Sequence, residues 1–224
     1  MQLSKSEKSF SSIFLIIVLL ELITGNIESL SQFHYFTKPL ILTSLIVFFW
    51  SKSNHLPKAV RNITLLALIF SLTGDILLMF VGTSANFFIG GLIAFLLAHI
   101  MYILTFIKKR NKTINPLFII ITLLIYATGI FYLIKDGLGD MQIPVLLYLT
   151  VILTMVVMAW LRKGKISNKS YYLVVVGALF FMISDSVLSI NKFYQSFASA
   201  GLIIMFTYAL AQYLIVMGIL KQRD

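Results

Sequence analysis

The fold is decided by the stretch Gly177–Phe193, GALFFMISDSVLSINKF, an apolar run with one carboxylate, Asp185, set inside it. A charged side chain at the centre of a bilayer costs about 3 kcal/mol or more, so such a residue usually has a partner or a function. A second apolar run, Ser71–Met79 (SLTGDILLM), carries Asp75 in a similar setting. Two carboxylates inside two apolar segments are therefore the feature that a functional interpretation has to explain.

The composition is that of a membrane protein. Of the 224 residues, 59% are hydrophobic and 12% are charged, whereas soluble domains are roughly 45–50% apolar. The absence of cysteine excludes disulfides and thiolate chemistry, and His34, His55 and His99 are too scattered to predict a zinc site. Motifs of serine hydrolases, zinc proteases and nucleotide-binding loops are also missing. We expect neither a metal nor an organic cofactor.

The apolar segments predict an all-α membrane protein. A spanning helix needs about 20 mostly apolar residues, and the chain contains eight candidates. We therefore predict one domain over residues 1–224, a bundle of eight transmembrane helices in which Pro39, Pro116 and Pro144 lie near helix starts. The predicted spans are Phe10–Thr24, Phe36–Trp50, Val60–Val81, Asn86–Ile107, Pro116–Ile134, Gln142–Leu161, Tyr171–Ile190 and Phe197–Leu220.

The basic residues predict the orientation. Fifteen of the 18 lysines and arginines fall in the terminal segments and in the loops after predicted helices 2, 4 and 6, whereas Lys38, Lys135 and Lys192 fall on the other side. Because cytoplasmic loops retain positive charge, both termini are predicted to be cytoplasmic. The net charge of +10 thus reflects topology and does not indicate nucleic-acid binding. The small size and the lack of targeting signals favour a bacterial cytoplasmic membrane, with the endoplasmic reticulum as the alternative.

The sequence also indicates an internal duplication. Asp75 precedes Gly91 of GLIAFLLA by the same spacing as Asp185 precedes Gly201 of GLIIMFTY. A single shift along the chain therefore superposes both the aspartates and the Gly-Leu-Ile patterns. We predict two parallel four-helix repeats, at about residues 10–110 and 116–220, although predicted helices 1–2 and 5–6 show no similarity.

The polar residues are predicted to share a depth in the membrane. At about 1.5 Å per residue, Asp75 and Asp185 lie roughly 20–22 Å from the cytoplasmic ends of their helices, and Glu21 about 17 Å. Lys38 is predicted to start helix 2 from the outer side and to extend towards the same level. These four residues are expected to surround one cavity that leans outward.

Other polar residues and other interpretations stay open at this stage. His99, Tyr102 and Gln212 are predicted to lie about 10 Å or more deeper towards the cytoplasm. The two aspartates could be structural, bonded to serines such as Ser71 and Ser184. Glu21 and Lys38 could reach the lipid headgroups, and His99 could be an interhelical hydrogen-bonding residue.

The chain resembles the YhhN family of membrane proteins, whose characterised members are lysoplasmalogenases. The resemblance covers about residues 38–218. It implies an eight-helix enzyme that hydrolyses the vinyl-ether bond of lysoplasmalogens to a fatty aldehyde and glycerophospho-ethanolamine or -choline. The motifs that carry the resemblance are Lys38-Pro-Leu, Ser71-Leu-x-Gly-Asp75, Phe88-x-x-Gly-x-x-x-Phe95-x-x-x-His99-x-x-Tyr102, Gly177-Ala-Leu, Ile183-Ser-Asp185-Ser, Asn191-Lys-Phe193 and Tyr208-x-x-Ala-Gln212.

This chemistry suits two carboxyl groups. Protonation of the vinyl-ether carbon gives an oxocarbenium ion that water then attacks, which needs one acid and one carboxylate, as in glycoside hydrolysis. Two carboxyls in one apolar cavity can remain in different protonation states near neutral pH. We expect Asp75 and Asp185 to be this catalytic pair, without a cofactor. The residues expected to bind the lysophospholipid are Lys38, Glu21, His99, Tyr102, Asn191, Lys192, Tyr208 and Gln212, with Lys38 or Lys192 on its phosphate.

Three other functions are weighed against this one. Parallel repeats with carboxylates near the midplane are also typical of proton-coupled transporters. A hydrolase of another lipid ether or ester would use the same cavity. A structural membrane protein would keep its polar residues only for packing. The sequence does not decide the headgroup preference or the oligomeric state.

Overall fold

The protein, seen in a computed structural model, is described over residues 4–222, and this part is helical throughout with no strand. It contains eight α-helices joined by short connections, two of which include 3₁₀ turns. The prediction of eight helices is therefore confirmed. The helices are α1 Lys5–Thr24, α2 Ser31–Lys52, α3 Lys58–Met79, α4 Ala85–Ile107, α5 Leu117–Ile134, α6 Gln142–Trp160, α7 Asn168–Phe193 and α8 Ala200–Leu220.

Seven of these eight helices, α2 to α8, are long and apolar enough to cross a membrane. The chain is an integral membrane protein on this evidence. The remaining helix, α1, differs because it carries Glu7 and Lys8 near its start and Glu21 near its end. That α1 is an eighth span stays a prediction.

The described ends of the chain meet at one end of the bundle. The ammonium of Lys221, just after α8, donates a 2.6 Å hydrogen bond to Glu7 Oε1 in the first turn of α1. One turn further along, the hydroxyl oxygens of Ser11 and Tyr213 lie 2.5 Å apart. This arrangement agrees with an even number of antiparallel helices. Which side of the membrane this end faces stays a prediction from the basic residues.

Helix α2 starts earlier than the sequence suggested. It begins at Ser31, so Pro39 lies in its interior and Lys38 lies about two turns from its start. The predictions that Pro39 is near a helix start and that Lys38 begins the helix are wrong. The polar first turns hid the helix, and an internal proline is tolerated where neighbouring helices satisfy the freed backbone group. Pro116 and Pro144 do lie at the starts of α5 and α6.

The helix bounds favour the predicted duplication. The sequence numbers of the two aspartates differ by 185 − 75 = 110, and adding this offset to the bounds of α1–α4 reproduces those of α5–α8 to within five residues. The packing follows the same rule, since α3 packs most extensively on α4 and α7 on α8, while α4 contacts α6 and α8 contacts α2. The fourth helix of each half thus packs on the second helix of the other. This is the arrangement expected of two parallel halves related by an approximate two-fold axis.

Small residues allow the closest helix contacts. A Cβ atom at Gly177 of α7 would lie 2.9 Å from the carbonyl oxygen of Ala211 on α8, and one at Gly218 would lie 3.0 Å from the amide nitrogen of Val174. A side chain at either position would push α7 and α8 apart. The two glycines therefore fix the approach of the helices that carry Asp185 and Tyr208.

Candidate functional site

A cavity of about 270 Å³ contains the carboxyl groups of both Asp75 and Asp185 in its wall. It lies at the end of the bundle opposite the chain termini, since Gly25, Asn26 and Val81 near the connecting loops also line it. The structure brings together seven of the ten residues predicted for the site. These are Asp75, Asp185, Glu21, Lys38, Asn191, Lys192 and Tyr208.

Asp75 is held by a tyrosine of α8. The Tyr208 hydroxyl donates a 2.8 Å hydrogen bond to Asp75 Oδ2, and the aspartate is only 2% exposed. Gly74 makes room for this arrangement, because a Cβ atom there would lie 2.7 Å from the ring of Phe95. The Phe95 ring in turn packs edge-on against Tyr208, so packing fixes the orientation of the phenol that binds the carboxylate.

Asp185 is held in a similar way by a residue that sequence reasoning missed. The hydroxyl of Tyr148, on α6, donates a 2.5 Å hydrogen bond to Asp185 Oδ2. The signal that could have identified Tyr148 is the repeat offset, since 148 − 110 = 38 and Tyr148 therefore occupies the position equivalent to Lys38. Neither Ser71 nor Ser184 plays the part suggested for it, because Ser71 bonds to Gln212 and Ser184 to the backbone of α8.

His99 lies next to the carboxyl group of Asp185, although its predicted depth placed it further towards the cytoplasm. Its Nε2 atom is 3.8 Å from Asp185 Oδ2, and its side chain is fully buried. Neither ring nitrogen has a hydrogen-bond partner among the described residues. The prediction that His99 lies about 10 Å deeper is wrong, because side chains lean towards the N-terminus of their helix. Helices α4 and α7 run in opposite directions, so the two side chains lean towards each other.

Tyr102 and Gln212 form a hydrogen-bonded chain behind the cavity wall. The Tyr102 hydroxyl donates to Gln212 Oε1 at 2.6 Å, and Gln212 Nε2 donates to Ser71 Oγ at 2.9 Å. All three side chains are fully buried. The offset 212 − 102 = 110 would make Tyr102 and Gln212 equivalent positions of the two predicted halves, and equivalent positions touch each other at a two-fold axis. The hydrogen-bonded side chains of Tyr102, Gln212 and Ser71 thus connect α4, α8 and α3.

Residues of α2 hold Glu21 at the mouth of the cavity. Its Oε1 atom lies 2.8 Å from Nδ1 of His34, and Thr37 donates a 2.6 Å hydrogen bond to Oε2. Glu21 is 1% exposed, so it does not reach the headgroups. Sequence reasoning missed both partners. His34 lies in the polar start of α2 that was not predicted as helix, and Thr37 lies inside the predicted span Phe36–Trp50 but was given no role.

The two lysines predicted for the site differ in burial. Lys38 is 9% exposed and lines the cavity, contrary to the interpretation that it reaches the headgroups. Lys192 is exposed at the rim, with its ammonium 5.1 Å from the centroid of the Phe88 ring. Its neighbour Asn191 accepts a 3.2 Å hydrogen bond from the amide of Phe197 and so shapes the loop before α8. The cavity therefore carries positive charge both inside and at its mouth.

A second, apolar cavity of about 50 Å³ shares part of its wall with the first, including Asp185. It lies between α3, α4, α6 and α7, and Asp185 lines it together with Tyr148, Leu92 and Val145. Asp75 is in the wall of the large cavity alone. Among residues 4–222, no group of three or more histidine or acidic side chains is placed to hold a metal ion.

Comparisons with known proteins show which family the sequence resembles. The sequence profile of the YhhN family matches residues 33–219, a segment that includes both aspartates and excludes Glu21. The human protein lysoplasmalogenase TMEM86B (Homo sapiens) is 29% identical over 196 residues, which cover 87% of this chain and 78% of the human protein. No solved structure matches the chain.

Proposed function

The chain belongs to the YhhN family, and we propose that it is a lysoplasmalogenase-type ether hydrolase. Its substrate would be a lysoplasmalogen, a lysophospholipid whose alkyl chain is joined to glycerol by a vinyl ether. Its products would be a fatty aldehyde and glycerophosphoethanolamine or glycerophosphocholine. The related human protein carries the name of this activity.

The observation that carries the proposal is that two carboxyl groups from α3 and α7 line one cavity in an apolar bundle. Hydrolysis of a vinyl ether requires protonation of carbon, a slow step that a positioned acid accelerates, followed by addition of water that a base assists. Asp75 and Asp185 supply one group for each task. No cofactor is needed for a reaction that transfers only protons and water.

The surroundings of the pair also suit a lysophospholipid. The ammonium groups of Lys38 and Lys192 can bind the phosphate of the headgroup, since an ammonium is a common phosphate ligand in proteins. Phe88 and Phe95 provide apolar surface in the same cavity. A substrate with one charged end and one apolar end therefore finds both environments in the same site.

The experiment that tests the proposal is aldehyde release from a lysoplasmalogen by the detergent-purified protein. Asp75→Asn and Asp185→Asn should each lower the rate by about 10²-fold or more, the usual contribution of a general acid or base, while thermal unfolding stays close to that of the parent. Asp140→Asn is the matched control, because Asp140 is an exposed acid in the α5–α6 connection.

The other functions predict different outcomes of the same assay. A proton-coupled transporter would release no aldehyde in detergent, where no sealed compartment exists. A hydrolase of lipid esters would release a fatty acid in place of an aldehyde. Normal turnover in either aspartate variant would contradict the proposed catalytic pair.

A further inference from the structure

The two cavities meet at one of the two carboxyl groups. Asp185 lies in the wall of both cavities, whereas Asp75 lines only the large one. The hydroxyl of Tyr148, which holds Asp185, is also part of the small cavity. The two aspartates occupy equivalent positions in the predicted halves of the chain, but only Asp185 also faces the small cavity.

The two cavities also differ in chemical character. The large one is lined by the charged and polar groups of Lys38, Lys192, Glu21 and His34. The small one is lined mainly by apolar side chains of α3, α4, α6 and α7. Leu78 and Leu188 line both cavities, whereas Leu92, Val145 and Phe193 line the small one and not the large one. Leu92 and Phe193 are half-buried, so this cavity reaches towards the outer surface of the bundle.

We infer that the substrate lies across Asp185, with its headgroup in the large cavity and the start of its alkyl chain in the small one, and that Asp185 is consequently the proton donor and Asp75 the base. The inference rests on the proposed function and adds to it the direction of the substrate and the division of roles. It follows from the order of groups along a lysoplasmalogen, where the vinyl ether separates the glycerophosphate from the alkyl chain.

The order of atoms assigns the acid. From the headgroup outward, the substrate presents the ether oxygen, then the vinyl carbon bound to that oxygen, then the vinyl carbon bound to the alkyl chain. The proton must add to the last of these, which is the atom nearest the apolar cavity. The Asp185 carboxyl transfers its proton to this carbon, the π electrons form the new C–H bond, and an ether-oxygen lone pair completes the oxocarbenium ion.

The base acts one atom closer to the headgroup. A water molecule bonds to the carbon next to the ether oxygen, and the Asp75 carboxylate takes a proton from that water, which gives a hemiacetal. Asp75 then returns this proton to the ether oxygen as the C–O bond breaks, and the hemiacetal hydroxyl gives its proton to Asp185. One water is consumed, the aldehyde and the alcohol form, and both carboxyls regain their starting states.

The charges around each aspartate favour the same assignment. Burial opposes negative charge on both aspartates. At Asp75 the ammonium of Lys38 favours negative charge and acts more strongly than the carboxylate of Glu21, which opposes it. Around Asp185, the structure places the neutral phenol of Tyr148, the buried imidazole of His99 and the carboxyl of Asp75. Two adjacent carboxylates repel each other, so one proton shared between them resides on the group that has no cation beside it.

The direction of the substrate is tested by filling the small cavity. Val145→Phe should lower kcat/KM by about tenfold or more for a long-chain lysoplasmalogen, because misplacement of the reacting atoms by about 1 Å is costly. A propenyl analogue, whose chain ends at the first methyl, should be much less affected. Leu146→Phe is the matched control, since Leu146 is the next residue on α6 and is 43% exposed. An equal loss for both substrates, or no loss for either, would overturn the proposed direction.

The roles are tested by chemical rescue of Asp75→Ala and Asp185→Ala with sodium azide, a nucleophile that needs no deprotonation. Azide should raise substrate consumption by Asp75→Ala about tenfold or more, because addition without a base becomes possible, and mass spectrometry should detect the azide adduct. Asp185→Ala should not respond, because no oxocarbenium ion forms. Rescue of Asp185→Ala, or of neither variant, would overturn the assignment, whereas a parent protein that releases no aldehyde would overturn the proposed function itself.

Discussion

Removal of the two phenol hydroxyls should have unequal effects on turnover. Tyr148→Phe deletes the 2.5 Å hydrogen bond to Asp185, and Tyr208→Phe deletes the 2.8 Å hydrogen bond to Asp75. In the proposed cycle Asp185 starts neutral and becomes negative as it donates its proton, whereas Asp75 starts negative and becomes neutral. Loss of the hydrogen bond should therefore raise the barrier to proton donation by Asp185, and should not raise the barrier to proton uptake by Asp75.

The magnitude follows from the strength of the bonds. A hydrogen bond to a charged group contributes about 1.5–3 kcal/mol and one between neutral groups about 0.5–1.5 kcal/mol. The Tyr148 bond should thus strengthen by about 1.4 kcal/mol as Asp185 becomes ionised, so Tyr148→Phe should lower kcat about tenfold. Tyr208→Phe removes a stronger hydrogen bond from the ionised Asp75 of the ground state than from the neutral Asp75 that forms later. The variant therefore loses no transition-state stabilisation, and its kcat should remain within about threefold of the parent.

The assay is steady-state aldehyde release in detergent at saturating lysoplasmalogen. Both variants keep the aromatic ring, so the packing of Tyr148 against His99 and of Tyr208 against Phe181 is retained. Thermal unfolding of each variant, compared with that of the parent, checks that the bundle is intact. A loss of kcat without a loss of stability then reports on the carboxyl group itself.

The reverse order of kcat losses in the two variants would contradict the proposed roles of the aspartates. If Tyr208→Phe lost about tenfold and Tyr148→Phe turned over like the parent, Asp75 would be the residue that gains charge. If both variants kept the parental rate, neither carboxyl would change its charge in the slow step.

Three further changes test other parts of the structure. Lys38→Met should raise KM about tenfold for a lysoplasmalogen, because it removes an ammonium from the phosphate, and should do so much less for a vinyl ether without phosphate. Gly177→Leu should destabilise the fold by about 1–3 kcal/mol through overpacking against α8, measured by thermal unfolding; Gly82→Ala, where a Cβ atom meets nothing within 4 Å, should not. Although burial opposes it, hydrogen bonds from Lys221 and Ser4 hold the pKa of Glu7 below its usual 4.5, so this stabilisation is present above pH 4.5 and is lost as pH falls through the lowered pKa. At pH 7 the free energy of unfolding of Glu7→Gln should therefore be lower than that of the parent by about 1 kcal/mol or less. This difference should vanish in acid, as thermal unfolding at both pH values would show.

The helices were predictable because a membrane span requires about 20 apolar residues, a signal that survives without any knowledge of contacts. The same signal failed in the first turn of α2, before the predicted start at Phe36, where the polar residue His34 is paired with Glu21 inside the protein. Hydropathy measures whether a residue suits lipid. A polar residue that faces a protein cavity therefore makes a helical segment look as if it lay outside the span.

The contents of the site were predictable in part for a related reason. Asp75 and Asp185 stood out because a carboxyl group inside an apolar run is conspicuous. Tyr148 did not, because a tyrosine is ordinary in a membrane helix and only its contact with Asp185 gives it a role. Depth counted along an axis also misplaced His99, since the direction of a side chain depends on the direction of its helix.

The predicted duplication would supply two equivalent carboxyl groups, whereas acid–base chemistry needs two different ones. The difference here arises at one pair of equivalent positions, where α2 carries Lys38 and α6 carries Tyr148. The ammonium acts on Asp75 through its charge, and the phenol binds Asp185 without adding charge. A cation and a hydrogen-bond donor each stabilise a carboxylate, but both aspartates have a tyrosine donor and only Asp75 also has Lys38 acting on it. In the proposed mechanism, the difference between positions 38 and 148 is what favours Asp75 as the base and Asp185 as the acid.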